Sequence, residues 1–183
     1  MPRLAIPLAR LAPLWGPGWL ARRRARHRKR AEPLSADALR ALAPYFPAAT
    51  LAAARVATVT RLPEPRLLAL ARRMGLRTVD FQRVLGITYV DTIVVPAVSP
   101  AEIPLSTLFH ELVHVEQARQ LGTREFVARY VRGWLEGGGY GAIPLERDAY
   151  ALERRFRAAP DEPFEVAAEV ASRLAGPGRT SPE

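Results

Sequence analysis

PLSTLFHELVHVEQARQLG, residues 104–122, places Leu105, Leu108, Leu112 and Val115 three and four residues apart. That spacing predicts one amphipathic helix over about 104–121. Pro104 suits its first turn and Gly122 its stop. Inside it His110 and His114 stand four apart, so both imidazoles leave one face one turn apart. Their nitrogens can then converge on a single metal ion at about 2.0–2.1 Å. Glu111 is rotated about 100° from His110, where a carboxylate can act on a water beside the metal without being a ligand.

A catalytic zinc normally takes three protein ligands, so the search for a third moves downstream. The chain has no Cys and three His, which leaves imidazole and carboxylate as its strong ligands. His27, the remaining histidine, lies among arginines and is a poor candidate. After Gly122, Thr123 caps a second predicted helix with Phe126, Val127, Tyr130, Val131 and Trp134 facing inward. The run Gly137-Gly138-Gly139-Tyr140-Gly141 lets the chain reverse, and Pro144 opens a helix to about residue 157. Glu146, in the first turn of that helix, is the carboxylate best placed to meet the histidines; Glu125, Glu136, Asp148 and Glu153 compete with it. Glu125 and Glu136 serve the ends of their own helix, and Glu153 lies two turns in.

Phe109-His110-Glu111-Leu112-Val113-His114-Val115-Glu116-Gln117 resembles the HELxHVxQ helix of small bacterial zinc metallopeptidase-like domains, including the core domain associated with extracellular contractile injection systems. Glu146-Arg147-Asp148-Ala149 is similar to the ExxA segment that carries the third ligand in glutamate-type zincins. The resemblance spans roughly residues 55–157. It implies a zinc site of His110, His114 and Glu146 with Glu111 as catalytic base. Many glutamate zincins follow ExxA with an Asp that supports a ligand histidine. Tyr150 stands there in this chain, so Asp148 or Gln117 is expected to take that role. Tyr140 is the candidate donor to a developing oxyanion, with Tyr150 second. A peptide or protein substrate is expected, with an extended strand adding to the sheet edge near residues 92–95.

Upstream, Ser35 caps a short helix closed by Pro44, and residues 55–62 alternate Val56, Thr58, Thr60 against Ala57, Val59, Arg61 as a strand. A helix is predicted over 65–74, and 86–95 reads as one strand or a hairpin turning near Asp91. A last helix covers about 163–174. The fold class is therefore α+β: a small N-terminal sheet followed by a helical half carrying the HExxH helix, zincin-like in arrangement. Its 183 residues, 49% hydrophobic, suit one domain over 33–175 between a basic tail, 1–31, and a flexible C-terminal tail, 176–183.

The net charge of +9 is confined to the first 31 residues, which hold nine basic side chains and no acid. The remainder is balanced, and its aromatics keep helical core spacing without interleaved arginines, so a nucleic acid is not the expected partner. Residues 4–20 are apolar but broken by Pro7, Arg10, Pro13, Gly16, Pro17 and Gly18, too short to span a bilayer. The basic run follows this stretch, the reverse of a secretory leader. The expectation is an unstructured tail on a cytoplasmic protein, peripheral at an anionic membrane surface. A non-catalytic, zinc-stabilised targeting module with a membrane-surface tail is the alternative to a hydrolase.

Overall fold

The computed structural model describes residues 5–62, 84–137 and 140–176, with side chains from residue 16 onward. The helix predicted over 65–74 and residues 177–183 of the expected C-terminal tail lie outside the described residues. Ser35 caps α2 (Ala36–Leu42), its hydroxyl accepting from the Ala38 amide at 3.2 Å; α3 (Ala48–Ala53) follows. The alternating stretch forms β1 (Arg55–Val59), and the second apolar stretch folds as a hairpin, β2 (Ile87–Tyr89) and β3 (Thr92–Pro96). Strand order is β1-β3-β2, with β1 parallel and β2 antiparallel to β3, so that Ile93 faces Val56 on one side and Thr88 on the other.

This topology corrects one expectation. Residues 92–95 lie in the central strand, hydrogen-bonded on both sides, and offer no edge to a substrate. Tertiary pairing decides it: the parallel crossover from β1 returns the chain beyond β3, and the hairpin then leaves β2 outermost. Among the described residues β2 is the strand with an unpaired side next to the histidine helix.

Both faces of β3 are covered, as period-two alternation requires of a central strand. Ile93 and Val95 join Val56, Phe109, Leu112, Leu152, Phe156 and Val166 in one core cluster. Val94 joins Ala57, Tyr89, Ala118, Phe126, Val127 and Leu145 in the other. The long helix α4 (Leu105–Gly137) contributes to both and changes course at Gly122, whose φ of 71° and ψ of 157° suit glycine alone. Where a stop was predicted, the chain kinks and resumes as helix. Pro144 opens α5 (Pro144–Ala158), which packs along α4, and α6 (Val166–Ala175) closes the fold.

The expected unstructured tail is the second correction, because α1 (Ala5–Arg28) is helical and docked. Leu20 is buried, and Trp19 and His27 set their rings against Tyr89 at centroid distances of 6.0 and 5.6 Å. Arg24 grips Asp91 through Nε (2.6 Å) and Nη2 (2.7 Å), and Arg28 Nη1 lies 2.9 Å from the same carboxylate. Composition hid this docking, since the partners of α1 sit on the β2–β3 hairpin, more than 60 residues away, and on α4, where Gly16 packs against Val127, more than 100 residues away. That hairpin turns through Val90 at φ 64°, a conformation costing a β-branched residue about 1–3 kcal/mol. The arginine clamp on its neighbour helps to hold it.

Burial alone would raise the Asp91 pKa, but hydrogen bonds from Arg24 and Thr92 and the charges of Arg24 and Arg28 bring it below the ordinary value. A depressed folded pKa contributes stability that is complete above the unfolded value of about 3.9 and disappears as pH falls through the folded one. Asp91→Asn should therefore cost about 1 kcal/mol at pH 7, the partial exposure of Arg24 and Arg28 keeping the figure low. Thermal melts at pH 7 and pH 3 check this: the gap between variant and parent should close at the lower pH.

Candidate metal centre

Every residue from 107 to 118 of α4 is buried, polar and apolar alike. A helix enclosed on all sides must find partners for its polar groups, because an unpaired buried carboxylate or imidazole is costly. Glu116 finds them in Thr50, Arg119 and Gln120, the last also donating to the Ala167 carbonyl, a network that ties α4 to α3 and α6. Glu116 thus has a structural role. His110 and His114 converge elsewhere, on Glu146.

Glu146 is 1% exposed at the start of α5, beside the buried Leu145. The glycine-containing reversal and Pro144 aim its carboxylate between the imidazoles, Oε2 lying 3.4 Å from His110 Nε2 and Oε1 3.3 Å from His114 Nε2. The two Nε2 atoms are 3.2 Å apart. His110, His114 and Glu146 therefore form a buried cluster able to hold a metal ion.

The outer contacts of the rings argue for a cation more strongly than the distances do. His114 Nδ1 faces Gln117 Oε1 at 2.8 Å, and Gln117 is oriented by its own donation to the Leu145 carbonyl. His110 Nδ1 faces the Glu153 carboxylate at 3.2 Å. Both partners are acceptors, so each Nδ1 carries a hydrogen and each Nε2 faces the centre, where a ring that has given up its second proton would offer a lone pair to a metal. Glu146 Oε2 points there too, buried without a hydrogen-bond partner. Such a gathering of acceptors calls for a positive ion.

The electrostatics show the same preference for positive charge, met by protons where no metal is bound. Burial opposes the His110 imidazolium, yet Glu146 and Glu153 outweigh it and raise the His110 pKa to about 10. His114 is raised as well, Glu146 overcoming burial. Glu146 moves the other way: burial would raise it, but the histidines and Tyr130 hold it well below the carboxylate range.

Glu111 stands beside the cluster and outside it. Its Oε2 lies 2.7 Å from the Thr88 hydroxyl on β2, and burial pushes its pKa up against the lowering influence of both histidines. Gly86 makes room for it: a Cβ there would sit 2.6 Å from Glu111 Oε1. Gly86→Ala should therefore move the carboxylate off its position and away from the Thr88 hydroxyl, with a modest loss of stability of about 1–2 kcal/mol. Any activity that needs Glu111 should fall at least tenfold with metal content intact, as metal analysis and kinetics together would show.

Of the remaining candidates, Tyr140 sits in a single 3₁₀ turn (Tyr140–Ala142) within reach of Glu146 and Tyr130, with burial and the Glu146 charge pushing its pKa upward. Tyr150 is 40% exposed, its ring 4.4 Å from that of His110. Asp148 turns away from the histidines toward Arg173, so Gln117 supports His114 and Glu153, weighed above as a ligand, supports His110. Glu125 pairs with Arg129 and is not part of the cluster.

Two contributors escaped the sequence reading. Tyr130 donates to Glu146 Oε1 at 2.5 Å, and Thr88 holds Glu111. Tyr130 reads as one core-facing aromatic among several, and its role depends on the kink at Gly122. Thr88 sits in a strand whose partner helix no local pattern reveals. No protein-family model matches this chain, and no curated protein or solved structure matches it either.

Proposed function

We propose that this protein is a zinc-dependent hydrolase of peptide or amide bonds, of the glutamate-zincin type, with His110, His114 and Glu146 as metal ligands and Glu111 as general base. The observation that carries the reading is Glu111: a buried carboxylate with a raised pKa, fixed by Thr88 beside the acceptor cluster and outside it. A site built only to be filled by metal has no use for it.

Zinc is favoured by the donors and by their spacing. Two imidazoles and a carboxylate without thiolate suit a catalytic zinc. A tetrahedral ion with bonds of about 2.0–2.1 Å separates its ligand atoms by about 3.3–3.4 Å, close to the 3.2, 3.3 and 3.4 Å between these three side chains. Bound there, zinc supplies Lewis acidity toward a water and a substrate carbonyl. Glu111 takes the proton of the attacking water and returns it to the leaving amine, its raised pKa suiting both transfers near neutrality. Thr88 keeps the carboxylate aimed, and Glu153 and Gln117 keep the imidazoles in the required tautomer. Tyr140, with Tyr150 as second choice, donates to the developing oxyanion. A cavity of about 480 Å³ bounded by Pro144, Arg147, Tyr150 and Arg154 has none of the four central side chains in its lining, and Tyr150, whose ring is 4.4 Å from that of His110, stands between the two.

The four central side chains are at most 6% exposed, which favours a second reading, a closed zinc centre that only stabilises a targeting module. Metal analysis of the purified chain, followed by a peptide-library digest, separates the two. One zinc per chain with cleavage supports the hydrolase; zinc without cleavage supports the closed centre. Absence of bound zinc after reconstitution would sink both.

A further inference from the structure

Docking α1 on the hairpin divides its arginines into two sets. Arg24 and Arg28 are taken by Asp91. Arg22, Arg26, Lys29 and Arg30 are exposed on the opposite side, and among the described residues no carboxylate pairs with any of them. Arg22 and Arg26 stand one turn apart on the last turns of α1, and Lys29 and Arg30 follow in the turn that leaves it. No helix among the described residues is long and apolar enough to cross a membrane.

We infer that the exposed basic row at the end of α1 and in the turn after it is a docking surface for a lipid bilayer bearing anionic headgroups, residues 22, 26, 29 and 30 meeting lipid phosphates. The described apolar residues of α1, Gly16, Trp19 and Leu20, pack on the body, so the contact with lipid is electrostatic and stays at headgroup level. A nucleic acid is less well served. Trp19 and His27 are turned onto Tyr89, and Arg23 covers the Trp19 ring at 5.5 Å, so among the described residues no free aromatic stands beside the row for base stacking. The rest of the chain carries 18 basic and 18 acidic residues, so α1 alone gives the molecule its attraction to a charged plane. Each basic group near such a surface adds several-fold to partitioning.

The test is co-sedimentation of the full chain with vesicles of phosphatidylcholine alone or with 30% phosphatidylserine (about a third anionic lipid, to give a strong surface potential). Binding is expected to the anionic vesicles only, weakening as salt shortens the screening length. The fourfold variant Arg22→Gln, Arg26→Gln, Lys29→Gln, Arg30→Gln should keep the parent's circular dichroism and melting curve, because none of the four touches the body. Its partitioning should drop on the order of a hundredfold or more. The inference is overturned by equal binding to both vesicle types, or by a fourfold variant that binds like the parent. It is equally overturned if the parent ignores vesicles while binding duplex DNA or RNA at the same salt.

Discussion

A His114→Ala chain is expected to be purified with little or no metal and to melt well below the parent. The substitution removes one of three protein ligands and leaves the Glu146 carboxylate buried against a cavity, with Tyr130 on one oxygen and no second ligand nitrogen. An uncompensated buried charge alone costs about 3–5 kcal/mol. Added zinc should raise the melting temperature of the parent, since a ligand bound only by the folded state stabilises it by mass action, and should do little for the variant. His27→Ala serves as the internal comparison: it removes the one histidine outside the cluster, stacked on Tyr89, and should retain its metal. Equal metal content in the His114 variant and the parent would place the metal elsewhere.

Glu111→Gln is expected to do the reverse, keeping the metal and the melting curve while lowering any hydrolysis by at least 10²–10⁴-fold, the usual contribution of a positioned general base. The amide matches the carboxylate in size and can still accept from the Thr88 hydroxyl, but it cannot take the proton of a water. Because Glu111 lies outside the ligand set, metal affinity should change little. Activity equal to the parent would remove Glu111 from the proposed chemistry and turn attention to the closed-centre reading. Loss of metal together with activity would mean that Glu111 supports the ligands instead of the water.

The helical half of the molecule could be read from local pattern because local physics decides it. Apolar spacing across 105–115 and proline at 144 set helix positions, and glycine at 122 the kink between two helical stretches, through backbone geometry within a few residues. The i, i+4 spacing of His110 and His114 places their rings together once the segment is helical, whatever surrounds it. Glu146 needed one further step, the inference that a glycine-containing reversal folds α5 back along α4, and the carboxylate does lie 3.3–3.4 Å from both imidazoles.

What the sequence determined by itself, then, was the composition of the centre and the helices that carry it. Tertiary structure alone decided the order of the strands, which puts β2 at the edge and residues 92–95 in the middle, since side-chain alternation says nothing about which neighbour a strand pairs with. It also decided that α1 docks, through an Arg24–Asp91 grip across 67 positions that composition counts as surplus charge. Thr88 and Tyr130 reach Glu111 and Glu146 by the same route. Hydrogen bonds across such separations depend on where whole elements cross, and no short window of sequence contains that information.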